Sequence, residues 1–143
     1  VKQYALGQTA DQADWLIGAD VVGPELAPAL RSMKAPGTAN KYDNQPADMD
    51  HYVTTTSDNG GVHTNSGIPN RAFAVCATTL GGKAWEGAGR IWYEALTGGG
   101  VKRTSTFRTF AKATVAAAGR LFGASSPEAD AVNAGWDAVK VKR

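Results

Sequence analysis

The sequence predicts a mainly α domain: an antiparallel helical bundle preceded by a long irregular segment that is nonetheless ordered. Three observations predict it. Apolar residues recur at three- and four-residue spacing only in the second half of the chain. Each of those stretches is closed by glycine, which adopts the left-handed conformation of a helix end at little cost. The first half instead carries Pro24, Pro28, Pro36, Pro46 and an Asp/Asn-rich run from Asn40 to Asp50, with no helical period.

The 143 residues suit one domain, able to bury a core without covalent staples. A hydrophobic fraction of 43% and a charged fraction of 20% are those of a globular chain. The single cysteine excludes an internal disulfide framework and a Cys-based zinc cluster. The two histidines, His51 and His63, exclude a three-His metal site, and their separation excludes a helical i, i+4 ligand pair.

Taken in order, Val1 to Leu6 read as the last turns of a helix with Gly7 just past its end. A helix end without its start leads us to expect a piece of a longer polypeptide. From Gln8 to Ser57 the chain is irregular, yet Trp15, Leu16, Ile17, Val21, Val22, Leu30, Met33 and Tyr52 are residues of the buried type and argue against disorder. The expected division is therefore an irregular wall over residues 1–62 and a bundle over 63–143.

In the bundle, Ile68, Ala72, Val75, Cys76, Thr79 and Leu80 share one face before Gly81-Gly82. Trp85, Ala88, Ile91, Trp92, Ala95 and Leu96 form the next stripe, and Phe107, Phe110, Ala111, Thr114, Ala117, Ala118 and Leu121 the third, which stops at Gly123. Ser126 is an N-cap candidate with Pro127 at the first helical position and Glu128 and Asp130 in the first turn, where acids favour the helix dipole. Ala129, Val132, Trp136 and Val139 give the last helix its stripe. Trp85, Trp92, Trp136 and Cys76 are read as core.

Charge is uneven: residues 1–58 carry four bases against eight acids, and residues 59–143 carry eleven against five. The bases of the second half are spread singly along helical patterns, so no nucleic-acid partner is expected. No apolar run approaches a membrane span, and none resembles a secretory h-region.

The densest polar stretch runs from Asp58 to Asn70, DNGGVHTNSGIPN. Its two glycines permit a sharp turn, across which Asp58 could take a proton from one ring nitrogen of His63 and fix its tautomer. The other nitrogen would then face outward as a donor to a developing oxyanion. The plainer alternative is that Asp58, Asn59 and Ser66 only cap and brace the helix start. Spacing alone leaves both open. Arg31, alone among apolar neighbours, is either a buried structural donor or a donor to a substrate carbonyl. His51 with Asp48 and Asp50 reads as a solvated loop rather than a metal site. Ser32, Ser57 and Ser66 do not sit in a nucleophile elbow.

Asp58 to Asn70 resembles the active-site segment of the thermolysin-like zinc metalloendopeptidases. The likeness extends in the family's order through Asp14-Trp15-Leu16-Ile17-Gly18, Leu30-Arg31-Ser32-Met33, Gly89 to Thr97, Leu121-Phe122-Gly123 and Trp136 to Val139. Pro69 and Ala35-Pro36-Gly37-Thr38 are more similar to the vibriolysin and protealysin side of the family. The resemblance implies the fold of the family's C-terminal domain and peptide or protein substrates. His63 and Asp58 match the catalytic histidine and its orienting aspartate. Arg31 matches the arginine that binds the substrate carbonyl, and Leu30, Ile17 and Val21 match the apolar wall that receives a large hydrophobic residue after the scissile bond.

The family's H-E-x-x-H and third ligand, a glutamate, do not occur in this chain, so the resemblance implies zinc bound by an N-terminal domain outside it and no metal ligand within it. It implies further that the chain alone is inactive and that its partners are that zinc-binding domain and a propeptide. Lys2, Leu16 and Ala19 stand where the family's acidic calcium ligands would be, with Asp14 retained, so the calcium site is expected to be lost. Secretion is implied by the same resemblance. The alternative function is a non-catalytic helical module that holds peptides or a propeptide in the cleft of Leu30, Arg31 and Ile17.

Overall fold

The computed structural model describes residues 1–143. Six helices, α1 (Lys2–Ala5), α2 (Asp58–Asn65), α3 (Gly67–Leu80), α4 (Ala88–Thr97), α5 (Phe107–Phe122) and α6 (Pro127–Ala138), make it mainly α. The long segment between α1 and α2 holds only two short strands, β1 (Leu16–Ile17) and β2 (Arg31–Ser32), and two 3-10 turns at Pro24–Leu26 and Met49–His51. The strands pair antiparallel with Leu16 opposite Ser32 and Ile17 opposite Arg31.

The helix ends follow from the sequence. Gly7 and Gly81 turn left-handed beyond α1 and α3, at φ 60° and 70°. Ser126 Oγ caps α6 by accepting the Ala129 N–H at 3.1 Å, and Pro127 opens the helix where its missing N–H is not needed. Thr106 plays the same part for α5, accepting from the Thr109 N–H at 3.2 Å.

Helices α3 and α6 share the largest interface, and α5 packs on both α4 and α6. The α3–α6 crossing is close because Gly135 lies against the Ala72 carbonyl, where any Cβ would overlap it. Trp136 fills the centre. It stacks on Trp92 at 6.1 Å between centroids, meets Phe110 edge-on, and donates its Nε1–H to Thr114 Oγ1 at 2.8 Å. From there the aromatic packing continues through Phe73 to Trp15, whose Nε1–H bonds the Ala10 carbonyl at 2.9 Å. This aromatic chain fastens the irregular segment to the bundle.

Three sequence expectations need correction. The second bundle helix begins at Ala88, not Trp85, because Gly87 takes a non-helical conformation (φ −102°, ψ −85°) and residues 84–87 form a turn. Trp85 accordingly leaves the bundle core and packs edge-on against Tyr4 of α1. Leu96 is 57% exposed and Thr79 is exposed too, whereas Ala95 and Ala77 in the same turns are buried, so the buried faces of α4 and α3 are narrower than the apolar stripes. Cys76 is fully buried as expected, and burial pushes its thiol pKa up to about 12, so it is an inert core residue.

Thr114→Val should strand the buried Trp136 N–H, costing about 1–3 kcal/mol. The expected fall in Tm is roughly 2–4 °C per kcal/mol, measured by thermal denaturation. An unchanged Tm in the variant would contradict the role given to this bond.

Candidate active site

Helix α2 consists of two pieces of opposite hand. Asp58, Asn59, Gly60 and Gly61 run at φ 54°, 49°, 84° and 77°, a left-handed turn, and a right-handed stretch follows. An ordinary L-residue loses roughly 1–2 kcal/mol in that conformation, whereas Gly takes it freely and Asn and Asp tolerate it. Asp-Asn-Gly-Gly is therefore the kind of sequence that can make such a turn. The amides of Gly60 and Gly61 both bond the Ser57 carbonyl, at 3.0 and 2.9 Å. Asn65, buried beneath the turn, clasps Val53 with two 2.9 Å bonds, one to its N–H and one to its carbonyl.

The turn swings the Asp58 carboxylate back over the residues that follow it. Its Oδ2 accepts the main-chain N–H of His63 at 2.7 Å and of Thr64 at 3.4 Å, while Oδ1 meets His63 Nδ1 at 2.5 Å. The hydrogen bond from His63 is the main reason that the Asp58 carboxyl lies below the usual carboxylate range, and the two amides reinforce it. With Nδ1 so engaged, Nε2 is the free nitrogen, on a side chain 80% exposed. One carboxylate thus both accepts the amides of a helical turn and meets the imidazole. What the pair offers chemically is a fixed, outward-facing hydrogen-bond donor whenever Nε2 carries a proton.

The hairpin brings three more of the candidate residues together. Ile17 faces Arg31 across the ladder, and the Leu30 N–H bonds the Ile17 carbonyl at 2.9 Å. Ile17 and Leu30 are each 41% exposed, an apolar edge beside a half-buried guanidinium. Val21 lies in the turn after Gly18 and is 85% exposed.

Sequence reasoning missed the groups that hold these elements in place. Asp43, with a fully buried side chain, accepts the N–H groups of Gly37 and Ala39 at 3.0 and 3.1 Å and meets Arg31 Nη1 at 3.6 Å. Gln45 Nε2 donates to the His63 carbonyl at 2.7 Å and to Ser66 Oγ at 2.6 Å. Gly67 must be glycine here, because a Cβ would lie 2.6 Å from the Pro46 carbonyl and 2.8 Å from Gln45 Cβ. A turn-rich stretch bearing an unpaired Asp was the one available signal, since such residues commonly bond loop amides.

No group of three or more His, Cys, Asp or Glu side chains comes together to hold a metal ion. His51 Nδ1 meets Asp48 at 2.8 Å in an exposed pair, remote in sequence from the His63 turn. Lys2 Nζ sits 2.6 Å from Asp14, as expected of an ammonium beside that carboxylate; their hydrogen bond lowers the Asp14 pKa and raises that of Lys2.

Residues 1–141 match the model of the thermolysin metallopeptidase α-helical domain. The chain belongs to that family, as its C-terminal helical domain. It is 48% identical to an extracellular metalloprotease of Pectobacterium carotovorum over 99% of this chain and 42% of that protein. It is 40% identical to thermolysin of Alicyclobacillus acidocaldarius over 90% of this chain and 24% of that one. The solved precursor of protealysin from Serratia proteamaculans superposes with a TM-score of 0.92 at 49% identity, covering 99% of this chain and 45% of that one. The expected likeness to the protealysin side is met. The chain spans less than half the length of the relatives it matches. No helix is long and apolar enough to cross a membrane.

A group whose pKa is depressed on folding contributes stability that is complete above its unfolded value, about 3.9 for Asp, and lost as pH falls through the folded value. Asp58→Asn should therefore flatten the acid limb of the stability profile. Urea titrations from pH 6 to 3 should show the wild-type chain losing more stability than the variant, and parallel losses would contradict the Asp58–His63 bond.

Proposed function

We propose that this chain forms one wall of the cleft of a zinc metalloendopeptidase and supplies the donors that stabilise charge on the scissile peptide. The observation that carries the reading is the Asp58–His63 pair, in which a 2.5 Å bond pins Nδ1 and leaves Nε2 outward. In a family of peptidases, that is the arrangement expected of a donor to a developing oxyanion.

The zinc is held by residues outside this chain and, when bound, supplies an activated water. The work of this chain is orientation and charge stabilisation. As negative charge gathers on the attacked carbonyl oxygen, His63 Nε2–H donates to it, and Asp58 keeps the ring from turning away. Arg31, one nitrogen of which is directed to Asp43, offers its remaining donors to a substrate carbonyl on the leaving-group side. Leu30, Ile17 and Val21 supply the apolar wall for a large hydrophobic residue after the scissile bond, a role favoured by the exposed edge at Ile17 and Leu30.

The partners in this reading are the enzyme's own zinc-binding half and a propeptide. The solved relative is a precursor, which supports the second. Relatives named extracellular support secretion. The ammonium of Lys2 against Asp14 supports replacement of a bound calcium ion by a lysine.

In the full-length enzyme, His63→Ala should lower kcat by about 10²–10³ with KM little changed; a change under about threefold would refute the assignment. The chain alone should cleave no casein, and elemental analysis of it should find neither zinc nor calcium in stoichiometric amount. One tightly held ion per chain would contradict this division of labour.

A further inference from the structure

We infer that Gln45 is a positioning residue for His63, and that the Asp43–Gln45 segment ties His63 to Arg31 so that the two donors keep a fixed separation. The inference rests on the proposed role of His63 and adds what holds it. The imidazole is 80% exposed, so packing does not fix it. Its ring is steered by Asp58, which itself sits in a left-handed turn on the surface. The place of the residue must then be set from behind, through its main chain.

Gln45 does this from a buried position, with 3% of its surface exposed. Its Nε2 donates to the His63 carbonyl at 2.7 Å and to Ser66 Oγ at 2.6 Å, and the Ser66 hydroxyl donates to that same carbonyl at 2.7 Å. The Gln45 N–H in turn reaches Asp43 Oδ1 at 3.3 Å, the oxygen that faces Arg31 Nη1. A continuous path of polar contacts therefore runs from Arg31 through Asp43 and Gln45 to His63. The contact of Gly67 with Pro46 and Gln45 presses the segment against the start of α3, leaving it little room to shift.

The other end of the amide supports a specific task. Gln45 Oε1 is buried and has no hydrogen-bond partner. An apolar residue of similar size would remove that uncompensated acceptor. What the glutamine supplies, and an apolar residue lacks, is the pair of donors at His63 and Ser66.

The test is a double-mutant cycle in the full-length enzyme, with kcat and KM measured on a peptide substrate. Gln45→Leu should lower kcat about tenfold, the lower range for groups that orient a functional side chain, and leave KM within about twofold. In the His63→Ala background the same substitution should cause no further loss. Ser66→Ala, a smaller change at the same carbonyl, should show a weaker loss with the same non-additivity, and it carries the cycle if Gln45→Leu does not fold. Equal losses in both backgrounds would mean a merely structural role and overturn the inference. So would an unchanged kcat for Gln45→Leu in an enzyme where His63→Ala is severely impaired. If His63→Ala itself is nearly as active as wild type, the proposed function fails first and this inference falls with it.

Discussion

The site depends on a reversal of helical hand over four residues. In a regular α-helix, side chains five positions apart differ by about 140° around the axis, so an aspartate at 58 could not reach a histidine at 63. The left-handed turn from Asp58 to Gly61 removes that obstacle, and the carboxylate meets both the amide and the ring of His63. The strain this conformation places on Asp58 and Asn59 is offset locally by the Ser57 carbonyl, which takes two amides, and by Asn65, which clasps Val53 underneath. One backbone device thus yields a helix cap, an oriented imidazole and an outward Nε2.

The rest of the chain makes that device rigid. Polar side chains brace the irregular segment: Asp43 gathers Gly37, Ala39 and Arg31, and Gln45 reaches His63. Aromatic side chains brace it against the bundle, from Trp15 through Phe73 and Trp92 to Trp136. Functional groups held on loops need such support from packed elements, because a displacement of about 1 Å can cost 10²-fold in rate. The 14 residues of α3 start two positions after Asn65, so the site is built directly on the helix that makes the broadest contact in the bundle.

Much of this was legible in the sequence, for identifiable reasons. Helices α3, α5 and α6 announce themselves because their buried faces repeat at helical spacing and their ends carry glycine or Ser-Pro. The start of α4 is harder to read, because Trp85 continues the apolar spacing while the helix is broken at Gly87, whose non-helical backbone leaves no mark in that spacing. Strands of two residues have no period to detect, so the Ile17–Arg31 pairing is not readable from the sequence, although both residues stand out in it. The Asp58–His63 contact was legible as a possibility, since Asp-Asn-Gly-Gly allows a left-handed turn without requiring it. Asp43 carries only the weak signal of an aspartate in a turn-rich stretch, and Gln45 and Asn65 carry none, because a buried amide that serves the backbone of a distant segment leaves no local pattern.

In the proposed function, His63 Nε2 and Arg31 face the reacting peptide when this domain meets a metal-binding half. The most direct measurement is a crystal structure of the full-length enzyme with a tetrahedral phosphorus analogue of the peptide-hydrolysis transition state, which such a site should bind far more tightly than substrate. The expected result is His63 Nε2 about 3 Å from one phosphoryl oxygen, with the Arg31 guanidinium on a neighbouring carbonyl and the Asp58 bond intact. An imidazole turned to solvent, with the phosphoryl oxygens bound by other groups, would contradict it.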